Sequence, residues 1–555
     1  MKKFDFKNPY IKALLIILPV FLLLYFFGGR LDLTKEKRYT LSESSVKILE
    51  SVKDPLTVDV YLEGDFPASF KQLQSETRFM LEEFRKINPK IDFRFIDPIK
   101  TKMSQDTLMA MGMQPSQLSD VKDGEIKQII MFPYAVVKHK RQGTSIPLII
   151  QQSGIEPQEQ LNKSIENLEY SFISNIKGIV QDKRRNVGIL VNQDELRPDE
   201  FSGFVEMTLE NYNAGPIVPE NGSEITMADL PKLKQMDALV IAKPRKPFTD
   251  GEKVILDQFI MNGGKTLWML DGVNAEMDTL FQAKKIMAYP IDVNMTDFFF
   301  NYGLRVNSGL VKDMQKSALI RIVGGEVAGN PQFNSFLWPY YPLGISENEN
   351  PVTRNINPVK FEFPTSIDTL GRPGIKTRVL FESSNRTSVK PVPNYVSLSE
   401  IVKTDSIAEF EKPTPPKIFA VSVEGKFKSA YASRSERTAY PGFKAQSPEN
   451  RMIVVADGDV GRNQIVKGQT LPLGFDVLTN QQYGNEQFLR NALDYLLDDA
   501  NLMELRNRNI AARLLDRQRV MDEKSKWQWL NLLLPLVIIG GLGALFFWLR
   551  KRKFN

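Results

Sequence analysis

Apolar and polar positions divide this chain into a long patterned middle and two uninterrupted apolar stretches near its ends. Residues 13–29 (ALLIILPVFLLLYFFGG) and 530–549 (LNLLLPLVIIGGLGALFFWL) contain no charged side chain. Seventeen and twenty residues at ~1.5 Å each are a near match to a hydrocarbon core of ~30 Å, so both read as transmembrane helices. Between them the pattern changes period. Residues 42–52 carry Val46, Leu49 and Val52 at helical spacing behind Thr40 and Ser42, a capped helix closed by Pro55. LTVDVYL (56–62) alternates as a strand does, 69–87 reads as a helix and IDFRFI (91–96) as a second strand. A helix at 105–111 and two strands at 128–138 and 144–151, turned through His139 and Gly143, complete an order β-α-β-α-β-β that resembles a thioredoxin-like domain. Residues 158–176 place Leu161, Ile165, Leu168, Phe172 and Ile176 on one helical face.

From Asn186 the period becomes that of an α/β sheet. VGILV (187–191), DALVIA (237–242), TLWMLD (266–271) and RMIVVADGD (451–459) are near-continuous apolar strands separated by helices at 198–212, 250–262 and 484–499. That alternation predicts a doubly wound parallel sheet covered on both faces. The proline-rich stretch 331–416 reads as inserted loops and hairpins, with strands at 376–382 and 418–423. The domain plan is therefore a tail at 1–12, a span at 13–29, a thioredoxin-like α/β domain at 30–182, a larger α/β domain at 183–500, a juxtamembrane helix at 501–526 facing lipid phosphates, a span at 530–549 and a basic tail at 550–555.

Charge orients this plan. Arg550, Lys551, Arg552 and Lys553 follow the second span, and Trp527 and Trp529 precede it, so the C-terminus is expected on the cytoplasmic side. Two spans then place the N-terminus there as well, in agreement with Lys2, Lys3, Lys7 and Lys12, and put the main domain in the periplasm. Lys35, Lys37 and Arg38 oppose this assignment. A cleaved signal peptide competes for the first segment, against its long apolar stretch and the lack of a small-x-small cleavage pattern. The net charge of +6 sits largely in the membrane-flanking tails and forms no basic stripe, so no nucleic acid partner is expected. With no cysteine and a single histidine, His139, disulfides and most cysteine- or histidine-dependent chemistry are closed to the chain.

Ligands of such sheets lie beyond the carboxyl ends of the strands. Those ends carry Asn192, Asp194, Glu195, Lys243, Arg245 and Asp271, a polar set for a ligand face but no recognisable catalytic constellation. Gly263-Gly264-Lys265-Thr266 has the tail of a phosphate loop, yet it follows a helix and has Phe259 where a glycine is required, so a glycine helix stop is the better reading. Asp457-Gly458-Asp459 lacks the glutamate of a calcium loop, having Gly468 in its place, and reads as a strand-end turn. His139 is placed in a solvated hairpin loop. No catalytic, cofactor or metal site is expected. In the second span Gly540, Gly543 and Ala544 would let another helix approach closely.

The segments DLTKEKRYTLSESS (32–45), KPFTDGEKVILDQFIMNGGKTLWMLD (246–271), GNEQFLRNALDYLLDD (484–499) and KWQWLNLLLPL (526–536) together resemble the gliding-motility GldG family, auxiliary, substrate-binding-like membrane subunits of bacterial ABC-type transporters. The resemblance implies a partner permease and a separate cytoplasmic ATPase in the inner membrane. The middle sheet also resembles a domain of intraflagellar transport, itself similar to glutamine-amidotransferase-like folds. The cysteine and histidine of those enzymes are missing here, which favours binding or scaffolding, with membrane lipids and a homo-oligomer as further partners. An envelope enzyme using carboxylates, or a free-standing periplasmic scaffold, is the alternative.

Overall fold

The computed structural model describes residues 40–64, 66–122, 125–150, 152, 155–180, 184–327, 330–346, 350–401, 412–433, 440–498, 501–507 and 517–554. The first apolar segment, 13–29, lies outside these. The chain divides into two compact units, one ending at Arg508 and one beginning at Asn509.

The first unit opens with α1 (Glu43–Ser51), where Ser42 accepts from the Ser45 N–H and caps the helix. Then follow β1 (Leu56–Val60), α2 (Ala68–Ile87), β2 (Ile91–Phe95), α3 (Gln105–Ala110), β3 (Ser116–Lys122), β4 (Glu125–Met131), β5 (Tyr134–His139), β6 (Gln142–Pro147) and α4 (Pro157–Val180). A four-stranded sheet has the order β2-β1-β5-β6, with β1 parallel to β2 and antiparallel to β5. The strand expected at 128–138 is two strands. Pro133 interrupts it, β4 pairs with β3 in a separate hairpin, and only β5 joins the sheet. His139 is 5% exposed at the end of β5, where its Nδ1 donates to the Pro55 carbonyl at 3.3 Å, so the expected solvated loop position is corrected. The turn is formed instead by Lys140 and Arg141, with Lys140 at φ 54°.

The larger sheet is built from β7 (Asn186–Leu190), β8 (Asn213–Ile217), β9 (Ala238–Ala242), β10 (Lys265–Met269), β11 (Leu304–Val306), β14 (Ile367–Thr369), β15 (Ile375–Glu382), β16 (Ile418–Lys428) and β17 (Gln446–Val455). Two further strands, β12 (Ser317–Val327) and β13 (Asn330–Gly344), form a long hairpin beside it. Its three longest helices are α5 (Ser202–Asn211), α6 (Asp250–Met261) and α7 (Asn485–Leu496). Five strands run parallel in the order β8-β7-β9-β10-β17. The expectation of a wholly parallel sheet is corrected, because β16, β15, β14 and β11 continue it antiparallel. Successive side chains of the central strands enter opposite faces. Val240 and Leu267 join the core under α5 and α7, while Ile241 and Trp268 join the core under α6. Both faces are dry, which is why these strands read as continuous apolar runs.

One apolar cluster runs through both parts of this unit. It contains Val58, Phe84 and Phe172 from the N-terminal sheet and its helices, and Val187, Leu267 and Phe488 from the larger sheet. Polar groups stitch the same seam. Tyr170 of α4 and Tyr212 donate to the two carboxylate oxygens of Asp494 on α7, at 3.1 and 2.7 Å. Leu502, Met503 and Leu505, in a short 3₁₀ turn, are buried, and the adjoining Arg506 donates to Asn491 and, at 2.6 Å, to the Arg354 carbonyl. This stretch was expected in a lipid-facing juxtamembrane helix. Its apolar side chains go into the seam instead.

Among the described residues, the second unit holds one helix, α8 (Arg517–Phe554), of 38 residues. It contains a stretch long and apolar enough to cross a membrane. It runs through Pro535, and nothing lies within 4 Å of a Cβ built on Gly540 or Gly543.

Candidate functional site

The polar strand ends of the larger sheet meet at its switch point, where the chain leaves β7 for β8 on one side and later returns to β9 on the other. Lys243 follows β9 directly, in the left-handed region at φ 58°, and is 2% exposed. Its Nζ lies 2.6 Å from both carboxylate oxygens of Asp459, 3.2 Å from Asp271 and 3.6 Å from Glu276. A buried ammonium survives only among compensating charges, and here there are three. Burial works against the charged lysine, but Asp271 and Asp459 outweigh it and its pKa is raised.

The turn after β17 completes the cluster. Asp457 accepts from the Glu362 and Asp459 N–H groups at 2.6 and 2.7 Å, and Asp271 accepts from the Gly458 N–H at 2.5 Å. Gly458 is required by space, since a Cβ there would lie 2.6 Å from Lys243 Cγ and 2.9 Å from Asp271 Oδ1. Arg462 joins Glu200 at 3.0 Å and Asp459 at 3.5 Å. Lys360 joins Glu362 at 2.7 Å and Asp476 at 2.8 Å, extending the network along the strand ends. Burial raises the carboxyls of Asp271 and Asp457, the latter strongly and with added repulsion from Asp459 and Asp271. Burial opposes ionisation of Asp459 too, but Lys243 and Arg462 hold its carboxyl below the usual range.

Asp271, Asp457 and Asp459 place carboxylate oxygens within 4.8 Å of one another, a spacing a cation could use. The Lys243 ammonium already stands against this trio, so a metal ion would have to displace it. The glycine pair shows no phosphate cradle. Gly263 ends α6 at φ 96°, and a Cβ on Gly264 would lie 2.3 Å from the Phe259 ring. An open depression of about 570 Å³ lies by Asp250, Lys253, Asp292 and Asp297, and its lysine is paired to Asp250 and Asp297.

The six residues expected at the ligand face divide. Lys243, Arg245 and Asp271 come together, Arg245 reaching Glu276 at 3.4 Å. Asn192 turns to Glu252 at 2.7 Å, Asp194 is exposed, and Glu195 is buried beneath its own loop. The sequence reading treated Asp457 and Asp459 as a turn only and passed over Glu276, Arg462, Lys360, Glu362 and Asp476. The Asp-Gly-Asp directly after an apolar strand was the available signal, because it occupies the same end of the sheet as Lys243 and Asp271.

Residues 184–492, more than half of the chain, match the family described as an ABC-type uncharacterized transport system, and the chain belongs to that family of transporter auxiliary proteins. Residues 35–138 match a domain of unknown function. A protein of Borreliella burgdorferi is 22% identical over 549 residues, covering 95% of this chain and 94% of its own length. Among solved structures, the mmIFT52 N-terminal domain is 14% identical with a TM-score of 0.30, over 56% of this chain and 96% of that one. A ThuA-like protein of Parabacteroides merdae is 10% identical with a TM-score of 0.25, over 57% and 91%. Both scores are too low to carry an argument about fold.

Proposed function

We propose that the chain is a non-enzymatic auxiliary subunit of an ABC-type transporter, anchored in the inner membrane by two spans with both termini cytoplasmic. Its folded unit is periplasmic and binds a ligand or partner protein, while the spans pack against a permease served by a separate ATPase, with Gly540, Gly543 and Ala544 as one packing face. The N-terminal sheet is thioredoxin-like and the larger sheet amidotransferase-like in this reading, and the resemblance to the GldG family makes gliding motility the associated process.

The observation that carries the non-enzymatic role is the saturation of the strand ends. Lys243, the group best placed to act as a base or nucleophile there, is held as an ammonium by Asp459, Asp271 and Glu276. A lysine does nucleophilic work only after losing its proton, which this environment resists. The test is gentle detergent extraction of the tagged native protein, followed by sizing and mass spectrometry. Co-elution of a polytopic permease and an ATPase is the expected result. Elution of this chain alone, or only with copies of itself, would overturn the stable complex.

A further inference from the structure

The loops after β7 and β9 interlock. The Leu196 N–H donates to the Ala242 carbonyl at 3.0 Å, and the Arg245 and Lys246 N–H groups donate to the Gln193 carbonyl at 2.8 and 3.0 Å. Each loop holds a non-glycine residue in the left-handed region, Asp194 at φ 59° and Lys243 at φ 58°. Such backbone persists only where its surroundings enforce it.

Glu195 lies under this junction, 7% exposed. Its Oε2 accepts from the Gln193 N–H at 2.7 Å, while its Oε1 is buried without a hydrogen-bond partner. The acidic groups that act on it are Asp194 of its own loop and Glu252 from the first turn of α6. The cations of the two loops are directed elsewhere: Arg197 to Asp199, Arg245 to Glu276 and Lys243 to Asp459, with Lys246 exposed. A carboxylate so placed lacks a donor for one oxygen and a countercharge for its anion, whereas the neutral acid has no charge to compensate and its cost falls to that of one buried O–H.

We propose that the loop at 191–201 is a proton-operated latch over the strand-end network, closed while Glu195 carries its proton and released when it ionises. Ionised Glu195 reaches water only if residues 193–196 lift, which breaks the Gln193 bonds to Arg245 and Lys246 and uncovers the backbone around Lys243. This inference does not depend on the transporter reading.

Burial raises the Glu195 carboxyl to about 7 from an ordinary 4.5, resisted by the N–H groups of Glu195 and Gln193 and helped by Asp194 and Glu252. Because the closed form holds the proton more tightly, the closed state is favoured at low pH. Its advantage declines as pH rises from the ordinary value to about 7 and is level above that. Opening should increase roughly seventyfold between pH 5 and pH 8.

Hydrogen exchange read by mass spectrometry on the full-length protein in lipid nanodiscs tests this, following peptides over 186–201 and 238–248 and correcting for the intrinsic pH dependence of exchange. Protection of these loops should fall by that factor, while Glu195→Gln should remain protected at pH 8. Asp194→Asn, which suits a left-handed position, should fold and move the upper bend of the curve to lower pH. Equal wild-type opening at pH 5 and pH 8, or the same pH dependence in Glu195→Gln, would overturn the latch. If Glu195→Gln does not fold, an unshifted bend in Asp194→Asn would overturn it.

Discussion

The strand-end network and the seam between the two sheets both bury charge, and their central groups compensate it by different means. At the strand ends, cations meet carboxylates directly: Lys243 with Asp459, Lys360 with Asp476, and Arg462 with Glu200. In the seam, ion pairs join Arg354 to Glu166 at 3.5 Å and Lys177 to Asp498 at 4.0 Å, but Asp494 and Arg506 meet neutral groups. Asp494 is held by two tyrosine hydroxyls, and Arg506 donates to an amide and a carbonyl with its guanidinium 5.3 Å from the Tyr170 ring centre. Burial accordingly raises the Asp494 carboxyl and lowers Arg506, whereas Asp459 and Lys243 shift the other way. The Lys243–Asp459 pair is shifted toward its ionised form, while Asp271, paired to the same lysine but facing Asp459, is raised as Asp494 is.

The comparison breaks most severely at Lys243. Lys243→Met leaves Asp271, Asp459 and Glu276 without their shared cation and should cost about 3–5 kcal/mol in urea unfolding. Adding Asp459→Asn should recover part of that loss, and no recovery would mean that the packing of the lysine stem, not its charge, matters. Asp494→Leu removes the acceptor of two buried hydroxyls and should cost about 2–4 kcal/mol. The two losses should differ in pH dependence. That of Lys243→Met should shrink toward pH 4 as the orphaned carboxylates protonate, while that of Asp494→Leu should grow, because burial raises the Asp494 carboxyl and the wild type gains stability as that group protonates. The smallest expected effect tests the scaffold behind the strand ends. Thr249 caps α6, and Glu252 returns the bond to the Thr249 N–H, so Thr249→Ala should lower stability by about 1 kcal/mol with little change in pH dependence.

The central strands were legible because both faces of the sheet are covered, which imposes an apolar residue at nearly every position. Strand β8 was not, because Asn213–Ile217 contains Gly215 and Pro216 and sits at the sheet edge, where proline's missing donor is tolerated. Strand β13 lies in a stretch read only as loops and hairpins, and its bounds were hidden for a related reason. Pro339 falls where the ladder is irregular, between the pairs Leu319↔Leu337 and Ser317↔Pro342, Pro342 closes that gap, and the adjacent Trp338, Tyr340 and Tyr341 are fully buried. At the candidate site the topological rule located Lys243, Arg245 and Asp271. Their partners come from segments as distant as Glu276 and Arg462, and no local period reports that pairing. Glu195 was visible as a polar strand-end residue, but its missing hydrogen bond is a property of the folded loop alone.

The helix Arg517–Phe554 has a mechanical consequence. Its apolar stretch begins at Leu530, so residues 517–529 continue the same rod for roughly 20 Å before it. Up to Pro535, which has no N–H to give to the ladder, the helix cannot reorient one end without the other. If the apolar part tilts by about 20° within a bilayer, Arg517 swings sideways by roughly 7 Å. The overhang is thus a lever, converting a small change of angle inside the membrane into a displacement larger than a hydrogen bond or an ion pair can follow.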